Sequence, residues 1–404
     1  MIRVIRTTGP ALASLLIAVS CASPAAAPSI PPTSTPAASA TSAATAATPY
    51  EINAILPLTG GAAFLGKPEQ QALEVLADVT NKQGGIAGRP VKLVFYDDET
   101  KPAVDVQLAN QIVAKKVPVI LGPSLVASCN AVAPIAAKGT VMYCLSPGIQ
   151  PVAGSYAFTS SVSTFDQNRA LFKYFKAKGW TKIATLTSTD ATGQDADNAI
   201  KTAVSENPGI DLVVQEHFNL SDVSVSAQIT RIKASDAQAL VAWSTGAPIA
   251  TVLRGIAQAG LTIPVATTDG NMTYAQMEQY AGFLPKELLI PAPQWPAADT
   301  LPAGPVKDAL KTCDDALKAA GVRADIGPSL AWDPGLIVIE MLKKIGPQAT
   351  AEQLRSAIAG LQGFAGVNGT YDFKKTPQRG LTAEQALVTR WDATKKTWVP
   401  LTGP

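Results

Sequence analysis

The sequence has little histidine and none of the common catalytic or nucleotide-binding motifs. Its 404 residues contain one histidine, His217, within the strand-like run "VVQEHF". No two cysteines form a Cys-x-x-Cys pair, and neither Gly-x-Ser-x-Gly nor Gly-x-Gly-x-x-Gly occurs. These absences argue against a zinc site, a serine hydrolase and a dinucleotide-binding fold. We therefore expect a protein that is not an enzyme and has no catalytic residue, metal or cofactor, and we expect His217 on an edge or half-buried strand.

The stretch that comes nearest to a phosphate-binding loop is "GAAFLGKP", residues 61–68. It fails at its last position, because Pro68 has neither a hydroxyl group for magnesium nor an N–H group for phosphate. We interpret it as a loop that places a proline in the first turn of a helix. A paired-carboxylate site is also unsupported, since Asp97 and Asp98 are neighbours at a strand end and point to opposite faces.

An excess of charge of either sign is absent as well. The chain has 33 basic and 31 acidic side chains, and removal of residues 1–20 takes away Arg3 and Arg6 and leaves 31 of each. This balance argues against nucleic acid as a partner and against a polybasic membrane-binding surface.

The amino terminus has the pattern of an export signal. Arg3 and Arg6 precede the apolar run "ALASLLIAVS", which is too short to span a bilayer, so residues 1–20 are predicted to be a signal peptide. Cys21 resembles the cysteine that is lipid-modified in a bacterial lipobox. Ala18 stands where leucine is usual there, and the following "ASPAAA" would also suit ordinary cleavage.

Residues 21–49 are rich in alanine, proline, serine and threonine and carry no charge. Such a composition cannot bury enough apolar surface to fold, so this stretch is predicted to be a disordered linker. Together with the signal peptide it places the folded part of the chain outside the cytoplasm, in the periplasm or cell envelope, with a possible lipid anchor at Cys21.

Three further cysteines follow the linker. Cys129 lies in the first turn of a predicted helix and Cys144 near the end of the next strand, so one parallel βαβ unit would bring them within about 6 Å between Cα atoms. In an exported protein we expect them to form a disulfide. Cys313, in "VKDALKTCDDALKAA", is predicted to be a buried free thiol.

From residue 50 onward, short apolar runs alternate with longer amphipathic ones. This alternation predicts an α/β fold with parallel sheets covered by helices on both faces, in two units that divide near residue 165. A helix is predicted over 67–83. The strand candidates are 51–58, 91–98, 117–122, 141–146, 182–188, 211–218, 239–244 and 263–268.

The segments just after these strands are rich in Gly, Ser, Thr and Asp and almost free of Lys and Arg. In open α/β sheets, ligands bind at the carboxyl ends of the strands, so these segments are the candidate binding surface. They are "TGGAAFLG", "GPSLVAS", "SPGIQP", "TSTDATGQ", "STGAP" and "TTDGNMT".

In their order along the chain, several motifs resemble the type I periplasmic binding proteins, specifically the branched-chain amino acid (Leu/Ile/Val-binding-like) type of ABC transporter substrate-binding protein. The matching stretches are "LPLTGGAAFLG", "GGIAGRPVKLVFYDDETKPAVDVQLANQIV", "ILGPS", "LSPG", "GWTKIATLTSTDATGQDA", "AQITRIKASDAQALVAW", "ATTDG" and "SLAWDP". The resemblance covers residues 50–404 and implies two doubly wound parallel-sheet lobes joined by a three-crossing hinge with a ligand cleft between them. Lobe 1 would hold residues 50–165 and 293–360, and lobe 2 would hold 166–292 and 361–404.

The resemblance also implies which residues bind the ligand. Two loops of lobe 1 would hold a carboxylate through hydroxyl groups, backbone amides and a helix N-terminus, without a cationic side chain. The candidates there are Ser124, Ala127, Ser128, Ser146, Gly148 and Gln150. Phe64 would face the ligand's side chain. In lobe 2, Thr192, Thr245, Gly246 and Asp269 would make the closing contacts, with Asp269 holding an ammonium group.

This region departs from the amino-acid-binding members, because Thr192 occupies the position where the family usually has tyrosine, and Gly246, near another usual aromatic residue, is also small. This departure favours an aromatic carboxylate over an α-amino acid. Trp243, Tyr274, Trp295 and Trp332 flank cleft segments and would serve either as pocket walls or as core residues.

The implied function is capture of a small carboxylate, an aromatic acid or an amino acid, by closure of the two lobes of a monomer, followed by recognition by the membrane permease. The alternative is a ligand-sensing subunit of a membrane signalling receptor. An exported hydrolase would need a nucleophile arrangement that the sequence lacks.

Overall fold

The computed structural model describes residues 47–403, so the predicted signal peptide, Cys21 and the linker up to residue 46 lie outside the described residues. Among the described residues, no helix is both long and apolar enough to cross a membrane.

The first sheet contains five parallel strands in the order β2-β1-β3-β4-β5. β1, β3, β4 and β5 are almost fully buried because helices cover both faces, which explains their nearly continuous apolar sequences. The strands are β1 (Tyr50–Leu56), β2 (Val91–Asp97), β3 (Val119–Leu121), β4 (Val141–Cys144) and β5 (Ala157–Thr159).

The second sheet has seven strands in the order β14-β13-β10-β9-β8-β6-β7. Its strands β6 to β10 run parallel, and β13 and β14 add antiparallel at one edge. The strands are β6 (Lys182–Ser188), β7 (Asp211–Phe218), β8 (Ala239–Trp243), β9 (Val265–Ala266), β10 (Leu288–Ala292), β13 (Leu387–Asp392) and β14 (Thr397–Pro400). His217 lies exposed on the edge strand β7, as predicted, with its Nε2 2.9 Å from Asp197 Oδ2.

Eleven α-helices lie among the described residues. They are α1 (Ala63–Lys82), α2 (Pro102–Val113), α3 (Val126–Ala136), α4 (Thr164–Ala177), α5 (Ala191–Glu206), α6 (Ser226–Ala234), α7 (Ala247–Ala259), α8 (Tyr274–Gln279), α9 (Pro305–Ala319), α10 (Ile326–Ile345) and α11 (Ala351–Ala359). The expected start of α1 was wrong by one turn, because "AFLG" is already helical and Pro68 falls in the second turn. α1 and α10 pack so closely that a Cβ at Gly335 would lie 2.8 Å from the side chains of Leu73 and Leu76.

The chain passes three times between the two sheets. It leaves the first sheet after β5, returns after β10 to form α9, α10 and α11, and leaves again before β13. Lobe 1 here denotes the first sheet with α1, α2, α3, α9, α10 and α11, and lobe 2 denotes the second sheet with α4 to α8. The predicted fold class, two parallel-sheet lobes with a three-crossing hinge, is confirmed.

A short hairpin of β11 (Gln362–Ala365) and β12 (Thr370–Asp372) lies against α10. The buried Asp333 of α10 accepts hydrogen bonds from the backbone amides of Val367 and Asn368 and from the hydroxyl group of Tyr371. The detailed lobe boundaries at residues 165, 292 and 360 stay a prediction.

Candidate functional site

A small cavity of about 30 Å³ lies where the carboxyl ends of strands from both lobes meet. This is the position at which α/β sheets bind ligands. Lobe 1 contributes Leu65, Leu330 and the loops after β3 and β4, which supply Ser124, Leu125, Val126, Leu145, Ser146, Pro147 and Gly148. Lobe 2 contributes Thr164, Thr192, Asp195, Trp243, Thr245, Thr268, Asp269 and Gly270.

Six of the eleven predicted ligand-binding residues line this cavity, namely Ser124, Ser146, Gly148, Thr192, Thr245 and Asp269. Five do not, namely Phe64, Ala127, Ser128, Gln150 and Gly246. The cavity has room for only about one or two water molecules. This volume is smaller than that of an amino acid.

Phe64 and Gly246 lie at the rim, where the two lobes touch. A Cβ at Gly246 would be 2.9 Å from the Phe64 ring and 3.5 Å from the carbonyl oxygen of Gly61, and Gly246 has a φ of +82°. Only glycine fits this contact without strain. The small residue at this position thus allows Phe64 of lobe 1 to close against lobe 2.

Two residues that follow β3, Ser124 and Ser128, lie next to carboxyl groups of neighbouring helices. Ser124 is buried, and its Oγ lies 2.5 Å from Oε2 of the fully buried Glu69 on α1. Ser128 points away from the cavity and lies next to Asp105 of α2. Burial raises the pKa of Asp105, and the hydroxyl group of Ser128 lowers it by a smaller amount. Ala127 is half-buried on α3 and does not reach the cavity.

Cys129 and Cys144 form the disulfide that the sequence predicts, with their Cα atoms 5.8 Å apart. This bond joins the first turn of α3 to the end of β4, and therefore connects the two lobe 1 loops that line the cavity. Cys313 is a buried free cysteine, also as predicted.

Arg379 was not predicted from the sequence, although it holds the loop after β4 in place. Its guanidinium group is buried and donates hydrogen bonds to the carbonyl oxygens of Pro147 and Ile149 at 3.1 and 2.6 Å. It also donates to the carbonyl oxygen of Ser161 at 3.2 Å, in the first segment that crosses between the lobes. Burial lowers the pKa of Arg379 to about 10, and the nearby Asp166, Asp195 and Asp269 oppose this shift.

Two carboxyl groups of lobe 2 line the cavity. Asp269 is fully buried, and burial raises its pKa to about 6, against hydrogen bonds from Gln167, Thr268 and Ser161. Asp195, on α5, was missed by the sequence analysis, although it lies one turn after Thr192 on the same face. Burial raises its pKa too.

Asp195 reaches across to lobe 1. A Cβ at Gly148 would lie 3.3 Å from Asp195 Oδ2, which has no hydrogen-bond partner among residues 47–403. Gln150 is exposed and lies close enough to Asp195 to lower its pKa. The cavity therefore places an unsatisfied carboxylate oxygen of lobe 2 opposite the hydroxyl and amide groups of lobe 1.

The aromatic residues that flank the cleft segments in the sequence have different positions. Trp243 lines the cavity. Trp332 is a core residue of α10. Tyr274 and Trp295, with Trp398, line a separate and larger cavity of about 560 Å³ beside α9. Since none of the predicted ligand loops reaches that larger cavity, we place the candidate site in the smaller one.

Residues 47–403 contain no group of three or more His, Cys, Asp or Glu side chains placed to hold a metal ion. Two α/β lobes that face a common cavity at their strand ends define a bilobal binding protein. A sequence model of the family described as periplasmic binding protein matches residues 49–396. The chain belongs to this family, which consists of solute-binding proteins and not of enzymes.

Among curated relatives, the Leu/Ile/Val-binding protein BraC3 of Rhizobium johnstonii is 27% identical over 190 residues, which are 45% of this chain and 51% of the relative. The chain spans about half the length of this relative and of the Leu/Ile/Val-binding protein homolog 3 of Brucella melitensis.

Two solved structures share the fold. The substrate-binding protein LivJ of Streptococcus pneumoniae, in complex with isoleucine, has a TM-score of 0.74 at 18% identity, over 87% of this chain and 100% of that one. An ABC transporter solute-binding protein of R. palustris, in complex with benzoate, has a TM-score of 0.72 at 20% identity, over 87% of this chain and 95% of that one.

Proposed function

We propose that this protein is the periplasmic solute-binding component of an ABC uptake transporter and that it captures a small amino acid by closure of its lobes. The observation that carries the proposal is the pair Asp195 and Asp269 on the lobe 2 side of the cavity, opposite the loops after β3 and β4. The unpartnered Oδ2 of Asp195 suits an ammonium group. The hydroxyl groups and the α3 N-terminus on the lobe 1 side suit a carboxylate.

Capture follows from the arrangement of these groups. A ligand that reaches both sides contacts lobe 1 and lobe 2 together only when the lobes are closed, so it favours the closed form by its differential contacts. The permease would then recognise the closed form. A sensing subunit would use the same closure, and identification of the membrane partner by affinity purification separates the two roles.

An aromatic carboxylate is the second candidate ligand. Trp243, Leu125, Val126 and Leu145 give the cavity apolar walls. The resemblance to amino-acid-binding proteins implies an aromatic residue at the position of Thr192, where this chain has a small side chain. A neighbour in fold binds benzoate.

A thermal-shift panel of amino acids and aromatic acids tests the proposal, because a ligand that binds only the native state raises the unfolding midpoint. We expect an aliphatic amino acid to raise the midpoint and benzoate to leave it unchanged. Asp195→Asn and Asp269→Asn should each weaken amino acid binding about tenfold or more, since each removes a charge-assisted hydrogen bond. Asp211→Asn, at an exposed position at the start of β7, is the matched control. A midpoint raised only by aromatic acids, with binding insensitive to both variants, would replace the first candidate by the second.

A further inference from the structure

Glu69 is a buried carboxyl group in contact with a residue that lines the ligand cavity. Its side chain lies on α1 and is fully buried, and its Oε2 is 2.5 Å from Ser124 Oγ. The other oxygen, Oε1, has no hydrogen-bond partner among residues 47–403. Ser124 lies between Glu69 and the cavity.

The surroundings of Glu69 favour its neutral form. The charged neighbour that acts on it is Asp98, at the end of β2, and Asp98 in turn lies beside Asp105 of α2. Within the described part of the chain, no lysine or arginine forms a salt bridge with any of these three carboxyl groups. Burial, helped by the field of Asp98, raises the pKa of Glu69 well above its usual range. Burial and the field of Asp98 thus favour the protonated form of Glu69.

The two oxygens of Glu69 differ as positions for that proton. On Oε1 it would face no acceptor, whereas on Oε2 it lies along the short contact with Ser124 Oγ. With the proton on Oε2, neutral Glu69 can donate to Ser124 Oγ, the reverse of the direction that the carboxylate form takes, and the hydroxyl proton of Ser124 then stays available to an acceptor in the cavity. Ionisation of Glu69 reverses the contact, because Ser124 must then donate to the carboxylate and present only lone pairs to the ligand.

We propose that Glu69 is a positioning residue for ligand binding, which in its protonated form makes Ser124 a hydrogen-bond donor to the ligand's carboxylate. This inference rests on the proposed function, since it requires a ligand with a carboxylate. It assigns Glu69 a role through Ser124 and not through direct contact with the ligand.

The test compares the wild type with Glu69→Gln, whose amide can donate to Ser124 at every pH. Isoleucine and benzoate are the probes, and the dissociation constant is measured by calorimetry from pH 6 to pH 10. We expect wild-type affinity to fall about tenfold or more as Glu69 ionises, through loss of one hydrogen bond to a charged group. Glu69→Gln should bind within about threefold of the wild type at pH 6 and lack this part of the fall. Groups that titrate in both proteins cancel in the comparison.

Glu69→Leu and Glu74→Gln complete the set. The first removes the donor and should bind weakly at every pH, while the second changes an exposed glutamate on the same helix and should follow the wild-type profile. Infrared absorption of a protonated carboxyl group at pH 7, lost in Glu69→Gln, checks the protonation state without a ligand.

The outcomes distinguish failure of the role of Glu69 from failure of the proposed function. Equal pH profiles in the wild type and Glu69→Gln overturn the role of Glu69 and leave the proposed function standing. If neither probe nor any other carboxylate binds the wild type, the proposed function fails and the role of Glu69 fails with it. A purely structural role would lower the unfolding midpoint of Glu69→Gln without removing the pH dependence of its affinity.

Discussion

Arg379 lies outside the cavity, but it holds one of the loops that line the cavity. Its buried guanidinium group donates to the carbonyl oxygens of Pro147 and Ile149, while Asp166, Asp195 and Asp269 lie near enough to act on its charge. It thereby fixes the loop after β4 and provides positive charge behind the two carboxyl groups of lobe 2. Its removal leaves buried carbonyl oxygens without a donor and weakens the charge balance of the site.

We expect Arg379→Met to lower the free energy of unfolding by about 3–5 kcal/mol, as is usual when one member of a buried charged network is lost. The measurement is chemical denaturation, combined with ligand titration on the fraction that remains folded. Arg390→Met changes an exposed arginine on β13 and should alter stability by no more than about 0.5 kcal/mol. Equal stability of the two variants would show that Arg379 does not support the loop.

For single residues, the sequence predicts the loops that line the cavity better than it predicts which side chains reach the cavity. Ser124, Ser146 and Asp269 could be located because the carboxyl ends of parallel strands share one edge of a sheet. Ser128 could not, because its direction depends on the rotation of α3, which places it towards Asp105. Arg379 could not be found either, because its partners are backbone oxygens about 230 residues away in the sequence.

At the scale of elements, the disulfide joins α3 to β4 and restrains both lobe 1 loops of the cavity. The double variant Cys129→Ala/Cys144→Ala removes a bridge over 15 residues and should lower the free energy of unfolding by about 3 kcal/mol. Affinity for the ligand should fall as well, since the loops lose their fixed separation. Thermal unfolding and calorimetry measure the two effects.

Dithiothreitol provides the control for this prediction. It should lower the affinity of the wild type and of Cys313→Ala, both of which contain the disulfide, and leave the double variant unchanged. Unaltered wild-type affinity in dithiothreitol would show that ligand binding does not depend on the disulfide.

The predicted elements differ from the observed ones for identifiable reasons. All eight strand candidates are found, because apolar runs bounded by Gly, Pro or polar residues are typical of buried parallel strands. β10 was not among the strand candidates. It contains Pro291, which weakens a strand prediction, and Pro291 pairs with Val388 in the antiparallel part of the sheet. β5 has only three residues, too few for a periodic pattern.

At the scale of the whole molecule, buried carboxyl groups determine how stability depends on pH. Burial raises the pKa of Asp269 and Asp333 to about 6 and that of Asp325 to about 7, and it raises the pKa of Glu69 and Asp195 as well. The native state thus retains protons that the unfolded chain has already released. Stability therefore falls as the pH rises between the unfolded and the native pKa values.

We expect the free energy of unfolding to be higher at pH 5 than at pH 8, with a slope of about 1.4 kcal/mol per pH unit for each proton by which the two states differ. Urea denaturation at several pH values measures this slope. Asp325→Asn cannot titrate and keeps an acceptor oxygen for only one of the two backbone amides, those of Gly327 and Tyr274, so it should reduce the slope near pH 6. Asp211→Asn, at an exposed position, should not. A wild-type stability that rises from pH 5 to pH 8 would contradict the raised pKa values.

The threefold passage of the chain between the lobes has a consequence for the order of synthesis. Lobe 1 begins with β1 but buries α1 against α10, which is made almost at the end of the chain. The loop after β4 likewise waits for Arg379. During synthesis, the apolar face of α1 therefore has no partner until α10 has been made, and the loop after β4 has no donor for its carbonyl oxygens until Arg379 has been made.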